Sequence, residues 1–579
     1  MIGLRDLTVR DARTWSQATA RFTLPAIGRY NIAADCLRAP RNATALLSVG
    51  SGDPGDPGDP VRVTFGELDD ASAALAAGLG SLGLVPGDRV AVKLSQSVEM
   101  AVAVFAVLRA GGVVVPVSNV LGADGVRHRL TDSRPRIMIA AGSEAEHALA
   151  ADAGALLVST DGARPGLGMP DLITGAPGAA TAMAPTSGDT PALLLYTSGT
   201  TGKSKGVLHG HRVLLGHHGV DRALNLIRPE DIAYSPVDWA WAGGLLLGLL
   251  VPLAHGIGVV AFREPRFDPD RTVALLARTG VSVGLFPPTM LRLLRQSGRL
   301  AGPLRSGLRL RCLVTGAEAV EPDLLSWAAD ELGVPVNNAY GQTEANALIG
   351  HSSALGALDP ACLGRPYPGH RIGLLDDSLA PVSAGQPGQL AAAADDPVCM
   401  LGYWNAPEAT AGRIRGGWLL TGDTAHADPD GQLFFHGRAD DIIKSGGYRI
   451  GPAEIEAVIL AHPAVAECAV VGLPDPVRGQ AVTAFVRLRD GAGGDPTAGP
   501  DGIAGPDGIG GIGGTDGLTA ELQRRVRTVV GAHAYPRAAR YLPDLPRTST
   551  GKVDRAALRR RFGAGPADHA AGPVEEGPR

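Results

Sequence analysis

The sequence predicts an α/β protein of more than one domain, with parallel sheets covered by helices on both faces. Three observations carry that expectation. Short apolar runs alternate with helical patterns from Val61 to Tyr196, and such alternation gives parallel strands joined by crossover helices. The chain has 579 residues, more than one hydrophobic core normally serves. From Asp440 onward a second unit begins, with a helix and strands of its own.

Taken in order, residues 1–30 read as an N-terminal arm, either poorly ordered or a short helical lead-in. The Asp-Pro-Gly repeats between Gly50 and Pro60 can only be loop. Val61–Phe65 reads as a strand, Glu67–Leu82 as a helix, Arg89–Leu94 as a strand, Val98–Leu108 as a helix and Val113–Val117 as a strand. Ile137–Ala140, Leu156–Ser159 and Leu193–Tyr196 continue the strands. Between Trp239 and Phe262 the only ionisable side chain is His255, and the run is long enough to span a membrane. Pro252 divides it and Gly256 and Gly258 break it, so the expectation is a buried helix near Trp241–Leu253, a buried strand at Gly258–Phe262 and no membrane span. Trp239 and Trp241 suit either a core or the wall of an apolar pocket. Val283–Phe286 and Leu310–Thr315 are further strands, the second running into Gly316-Ala317-Glu318.

Formal net charge is −5 with acids and bases mixed throughout, which argues against nucleic acid as a partner. The five cysteines are scattered with no C-x-x-C pair, a pattern of reduced thiols in a cytoplasmic protein. The charged N-terminus gives no sign of a signal peptide. His209, His211, His217 and His218 share their spacing with no cysteine or carboxylate and read as helix-face residues instead of a metal site.

The chemistry concentrates in a few segments. After the apolar strand ending at Tyr196 come Thr197-Ser198-Gly199-Thr200-Thr201-Gly202-Lys203-Ser204-Lys205-Gly206. Glycines let backbone N–H groups approach a ligand, while hydroxyls and lysines add donors and positive charge, a combination suited to a polyphosphate. The spacing is not that of the usual P-loop. Asn338-Ala339-Tyr340-Gly341-Gln342-Thr343-Glu344 packs an aromatic ring, a hydroxyl and a carboxylate into one turn: Tyr340 for stacking on a purine, Thr343 for a phosphate, Glu344 for a metal. Asp423 follows a strand and suits two ribose hydroxyls, and a further short strand closes on Arg438. Then come Asp440-Asp-Ile-Ile-Lys-Ser-Gly446-Gly447-Tyr448-Arg449 and, near the end, Thr548-Ser-Thr-Gly-Lys552.

Those blocks, in that order, resemble the adenylate-forming superfamily of acyl-CoA synthetases, peptide-synthetase adenylation domains and luciferases. Tyr340-Gly341-Gln342-Thr343-Glu344 and Ser445-Gly446-Gly447-Tyr448-Arg449-Ile450-Gly451-Pro452 look most like the medium-chain and aromatic AMP-forming acyl-CoA synthetases. The resemblance implies an AMP-binding domain over 31–439, with a β-barrel-like subdomain, and a small mobile α+β domain over 440–562. The stretch 490–517, almost all Gly, Asp, Pro, Ala, Ile and Thr, reads as a disordered insertion, and 563–579 as a disordered tail.

The resemblance also implies roles. Thr197, Ser198, Gly199, Thr200, Thr201, Gly202 and Lys205 would hold the β- and γ-phosphates of ATP, with Ser204 standing where the family usually has proline. Thr343 would touch the α-phosphate and Glu344 would hold Mg²⁺. Tyr340 and the Gly316-Ala317-Glu318 turn would flank the adenine, beside Asn338, Ala339, Gly341 and Gln342. Asp423 would take the ribose, with Arg438 close by. Lys552 would bridge the carboxylic acid and the α-phosphate. Asp440 would be a hinge, and Gly446, Gly447, Tyr448, Arg449, Arg478 and Tyr535 would meet coenzyme A. Pro546-x-x-x-x-Gly551-Lys552 resembles the segment that protein lysine acetyltransferases recognise in acyl-CoA synthetases. Short-acid synthetases of this family place a tryptophan where Gly341 stands, so Gly341 with Trp239 and Trp241 is expected to leave room for a medium-chain or aromatic acid. Two alternatives remain at this point: a free-standing adenylation enzyme loading a carrier protein, and a non-catalytic nucleotide-binding relative.

Overall fold

The computed structural model describes residues 2–50, 59–161, 167–175, 182–197, 204–264, 266–298, 307–316, 318, 320, 322–438, 441, 443–445, 448–476, 478–489, 515–532, 534–547 and 553–563. Local chemistry sets the element ends. The helix Phe65–Ser81 starts two residues before its expected start because Thr64 caps it: the Thr64 hydroxyl accepts the Glu67 N–H at 3.1 Å, and the Glu67 carboxylate accepts the Thr64 N–H at 2.8 Å. The helix Val98–Arg109, capped by Ser97, buries every residue from Met100 to Leu108. It is apolar all round because sheet and helices enclose it.

Two parallel-rich sheets make the large body. In one, Cys312–Gly316 lies between Val336–Tyr340 and Val283–Leu285, and the order continues through Ile232–Tyr234, Gly258–Ala261 and Thr44–Ser48, all parallel. Antiparallel strands close both edges. In the other, Pro191–Tyr196, Val113–Pro116, Arg89–Lys93, Ile137–Ala140 and Leu156–Ser159 run parallel in that order. Gly206–Gly210 returns antiparallel along Pro191–Tyr196. Ligands of such sheets bind beyond the carboxyl ends of the strands, where the motif loops fall.

The first thirty residues hold a short 3₁₀ turn at Leu4–Leu7 and a helix at Trp15–Arg21. Leu4, Leu7, Trp15 and Ala18 are buried in the main core, so the segment is a packed lead-in. The apolar run after Trp241 is one continuous helical stretch, Ala242–Leu245, Leu246–Leu250 and Val251–His255, whose middle turn is a π turn. The Val251 N–H reaches back five residues to the Leu246 carbonyl. Pro252 has no N–H and a ring that crowds the turn before it, and the wider turn just ahead of it keeps the helix unbroken. Among the described residues no helix is long and apolar enough to cross a membrane.

A third, antiparallel sheet of five strands includes Gly388–Ala393, Trp418–Ala427 and Leu433–Arg438; this is the region the resemblance implies to be barrel-like. The C-terminal unit is α+β. Val465–Asp475 pairs antiparallel with Gly479–Leu488, Ala538–Tyr541 adds a parallel edge, and the helix Pro452–Leu460 buries Ile455 and Ile459 against them. Its next helix begins at Thr515, three residues before the expected Leu518, so 515–517 belong to that helix and not to the insertion. Residues 490–514 and 564–579 lie outside the described residues.

Candidate active site

Asp423 is the centre of the best-formed cluster. It sits on Trp418–Ala427 opposite Arg438 on Leu433–Arg438, and Tyr340 ends the strand Val336–Tyr340 of a different sheet. The Tyr340 hydroxyl donates to Asp423 Oδ2 at 2.5 Å, and Gln342 Nε2 donates to the same oxygen at 2.5 Å. Arg438 Nη1 donates to Asp423 Oδ1 at 3.2 Å. Arg413 joins the group, donating to Gln342 Oε1 at 3.3 Å and to the Thr421 carbonyl at 2.8 Å. Burial raises the Asp423 carboxyl above the usual carboxylate range, and Arg438, Tyr340 and Gln342 oppose that shift. Burial and the adjacent Asp423 push the Tyr340 phenol well up, so its hydroxyl stays protonated and donates.

Glu344, in the same turn, is held by other partners. Its Oε1 accepts the Tyr403 hydroxyl at 2.7 Å, and its carbonyl accepts the Met400 N–H at 2.9 Å. Lys205 Nζ stands 5.5 Å from the centre of the Tyr403 ring. The turn itself is held by a hydrogen-bond pair between Gln342 and Ala345, by Leu348 N–H on the Tyr340 carbonyl, and by His209 Nε2 donating to the Thr343 carbonyl at 2.7 Å. The fold thus brings Lys205, Thr343, Glu344, Tyr340, Gln342, Asp423 and Arg438 to one edge of the large body. Asn338 and Ala339 lie beside Thr315 and Gly316 in the parallel register. A Cβ on Gly316 would stand 2.1 Å from the Ala339 carbonyl oxygen, so only glycine permits the strands to approach this closely. Glu318 turns its carboxylate to Thr289 at 2.8 Å and Arg292 at 3.5 Å.

Several expected positions behave differently. Gly341 does not leave an open side-chain site: a Cβ there would meet the Ala347 backbone nitrogen at 2.3 Å. The turn 341–347 folds back on itself too closely for any side chain, so glycine here is a backbone requirement. Trp239 is fully enclosed in the main core, packed near Gly248, and only Trp241 of the pair is half-exposed. An apolar recess of about 590 Å³ beside Tyr403, walled by Leu208, Leu401, Trp404, Pro407 and Ile414, includes none of Trp239, Trp241 and Gly341. The four histidines do not form one helix face: His218 opens the helix His218–Ala223 and His217 caps the helix Val213–Gly216 before it, but the other two lie outside helices. His209 is on the strand Gly206–Gly210, His211 follows it and accepts the Ile32 N–H at 3.1 Å, and His218 stacks on Phe22 and His370. Among the described residues no three His, Cys, Asp or Glu side chains group as a metal cage.

In the C-terminal unit, Arg478 is exposed and its backbone N–H caps onto Asp475 at 2.8 Å. The Tyr535 ring lies between the guanidiniums of Arg527 and Arg537, at 3.8 and 3.7 Å from its centre. Tyr448 and Arg449 belong to a strand, Tyr448–Ile450, paired with Ile443–Ser445. On either side of Thr548–Lys552, Arg547 bridges to Val553 and the Asp554 N–H donates to the Pro546 carbonyl at 2.7 Å. Ser198, Gly199, Thr200, Thr201, Gly202, Ala317, Asp440, Gly446, Gly447 and Lys552 lie outside the described residues.

The sequence reading missed Tyr403, Arg413 and His209 as members of this site. Only the aromatic pair in Gly402-Tyr403-Trp404-Asn405 offered a signal. The others act across large sequence separations that no local pattern reveals.

Such a site, on two parallel-rich sheets with a third antiparallel sheet and a small α+β unit, defines an adenylate-forming enzyme. The chain matches the AMP-binding enzyme family over residues 33–404 and the AMP-binding enzyme C-terminal domain over residues 454–552; it belongs to that family. It is 32% identical over 511 residues to the mitochondrial acyl-coenzyme A synthetase ACSM5 of Mus musculus, covering 86% of this chain and 84% of that one. The uncharacterized acyl–CoA ligase YtcI of Bacillus subtilis is 29% identical over 501 residues, 86% of this chain and 90% of that one. The structure of ATP-bound MatB from Rhodopseudomonas palustris superposes with a TM-score of 0.78 at 28% identity, covering 92% of this chain and 99% of that one. A benzoate CoA ligase from Burkholderia xenovorans LB400 superposes with a TM-score of 0.74 at 28% identity, covering 92% and 100%.

Proposed function

We infer that the chain is an AMP-forming acyl-CoA synthetase, an acid–thiol ligase that joins a small carboxylic acid to coenzyme A. A carboxylate cannot be attacked by a thiol directly because its leaving group would be oxide. Attack of the carboxylate oxygen on the α-phosphorus of ATP expels pyrophosphate and forms an acyl-adenylate. The thiol of coenzyme A then attacks the acyl carbon, and AMP leaves. The observation that carries this reading is the convergence of Lys205, Thr343, Glu344, Tyr340 and Asp423 from separate elements onto one edge.

In this reading the loop from Thr197 to Lys205 binds the β- and γ-phosphates, and Thr343 faces the α-phosphate. Asp423, already braced by Arg438, Tyr340 and Gln342, accepts the ribose hydroxyls. Glu344 is a hard oxygen donor with one oxygen taken by Tyr403. A lone carboxylate completed by substrate phosphates is how Mg²⁺ is commonly held, so the residues fit the ion. When bound, Mg²⁺ neutralises phosphate charge. Lys552 is the point charge for the adenylation step, and the small unit from residue 440 turns about Asp440 to exchange Lys552 for the Gly446-Gly447-Tyr448 segment. Arg449, Arg478 and Tyr535 then meet coenzyme A. The acid is medium-chain or aromatic, in line with the benzoate CoA ligase among the similar structures. Trp241 is the wall residue retained for its pocket. The protein is cytoplasmic, and acetylation of Lys552 by a protein lysine acetyltransferase switches off adenylation by removing its charge.

The test is acid-dependent exchange of labelled pyrophosphate into ATP, followed by thioester formation on adding coenzyme A. Exchange with thioester formation only on a carrier protein would support the free-standing adenylation enzyme instead.

A further inference from the structure

The base of the phosphate loop is closed at three points. The Thr197 N–H donates to the Lys205 carbonyl at 3.0 Å. The Ser204 hydroxyl donates to the Thr197 carbonyl. The Ser204 carbonyl in turn accepts His128 Nε2 at 2.7 Å, so that nitrogen carries a hydrogen. The first two ties lie between the strands that flank the loop; the third comes from outside them. His128 belongs to the helix Ala123–Ser133, and that helix also grips the strand entering the loop. Asp132 Oδ2 accepts the Tyr196 hydroxyl at 2.7 Å, and the Arg129 guanidinium lies 5.5 Å from the centre of the Tyr196 ring. The Asp132 carbonyl accepts Trp404 Nε1 and Asn405 Nδ2, each at 3.1 Å, next to the Tyr403 that holds Glu344. One helix therefore registers both ends of the loop and the segment carrying the partner of Glu344.

Ordering a sequence rich in glycine and small hydroxyl residues around an anion costs entropy. Ties at its base reduce that cost by fixing where the loop starts, where it ends and how Lys205 leaves it. We propose that His128 and Ser204 are positioning residues for the polyphosphate of ATP, His128 by pinning the Ser204 carbonyl and Ser204 by tying its hydroxyl across the loop base. The proposal rests on the ligase reading for its substrate. Neither residue touches the acid or coenzyme A in this account. Both the Nε2–H tautomer and the imidazolium of His128 donate, so the tie needs no charge.

The consequence is selective. Adenylation uses the β- and γ-phosphates, whereas thioester formation from a supplied acyl-adenylate does not. Wild type, His128→Ala, Ser204→Ala and Ser204→Thr are compared in two measurements: Kd for ATP by titration calorimetry, and the rate of thioester formation from supplied acyl-adenylate and coenzyme A. Loss of one neutral hydrogen bond is expected to weaken ATP binding by about three- to tenfold in each alanine variant. Ser204→Thr keeps the hydroxyl and stays within about twofold of wild type, and the thioester rate is unchanged in all. An ATP Kd unchanged in both alanine variants, or an equal loss in the thioester step, overturns the proposal. Should His128→Ala fail to fold, Ser204→Ala decides alone. The binding comparison needs no knowledge of the acid, so a wild type inactive in pyrophosphate exchange sinks the ligase reading while the assignment to His128 and Ser204 is still decided by Kd.

Discussion

At the scale of single residues, the sharpest division falls on Lys552. In the proposed mechanism it is the point charge at the α-phosphate and serves only the first half-reaction. Lys552→Ala is expected to lower acyl-adenylate formation on the order of a hundred- to a thousandfold while leaving conversion of supplied acyl-adenylate to thioester near wild type. Equal losses in both half-reactions, measured by rapid quench, would contradict it. Gly341 carries a different expectation. Because a Cβ there would meet the Ala347 nitrogen at 2.3 Å, Gly341→Ala should destabilise the fold by about 1–3 kcal/mol and depress activity on all acids together. A shift in acid preference with stability intact, read from kcat/KM for acetate, hexanoate and benzoate beside a urea melt, would restore Gly341 as a pocket floor. The Tyr340–Glu344 turn was legible in the sequence as a constellation of donors. That Gly341 faces backbone was not, since the opposing atoms belong to a return of the chain that residue type alone does not specify.

At the scale of elements, the strands and helices of the large body were readable because burial on both faces leaves continuous apolar runs bounded by turn residues. Thr64 and Glu67 set an end that hydrophobic periodicity does not: their capping box moves the helix start to Phe65. The π turn at Leu246–Leu250 has no local code beyond the proline that follows it. His209 looked like one residue of a helix face and is instead a strand residue holding the Thr343 carbonyl, a contact made across the fold. The stretch between Leu488 and Thr515, where one described element ends and the next begins, lacks the apolar side chains to build a core of its own. Replacing 490–514 by a short Gly-Ser turn should leave activity and Tm nearly unchanged, because loop length adds little closure entropy. A Tm lowered by more than about 5 °C, on the order of 1 kcal/mol or more for a unit this size, would mean that the stretch packs or binds something.

At the scale of the whole molecule, buried histidines make stability depend on pH. Burial pushes His209, His211 and His217 down to about 4 and His218 well down. Their folded values lie below the unfolded value of about 6.5, so between those limits the unfolded chain binds more protons and stability rises with pH. As pH falls from about 6.5 towards 4, each such histidine costs up to about 1.4 kcal/mol per pH unit. The urea midpoint should therefore drop steeply across that window. It should drop less steeply in His211→Asn, whose amide oxygen can replace the ring nitrogen that accepts the Ile32 N–H. A midpoint flat from pH 6.5 to 4.5 would contradict neutral burial. The two parallel-rich sheets, the antiparallel sheet and the small α+β unit belong to one activity: this chain activates a carboxylic acid as its adenylate and passes it to coenzyme A. The most direct measurement is pyrophosphate exchange into ATP across acetate, butyrate, hexanoate, octanoate and benzoate, with AMP and acyl-CoA quantified after coenzyme A is added. Acid-dependent exchange without coenzyme A is expected, strongest for the larger acids, with AMP and acyl-CoA formed in equal amounts once the thiol is present. Absence of exchange with every acid, or exchange with no thioester on coenzyme A, would contradict that activity.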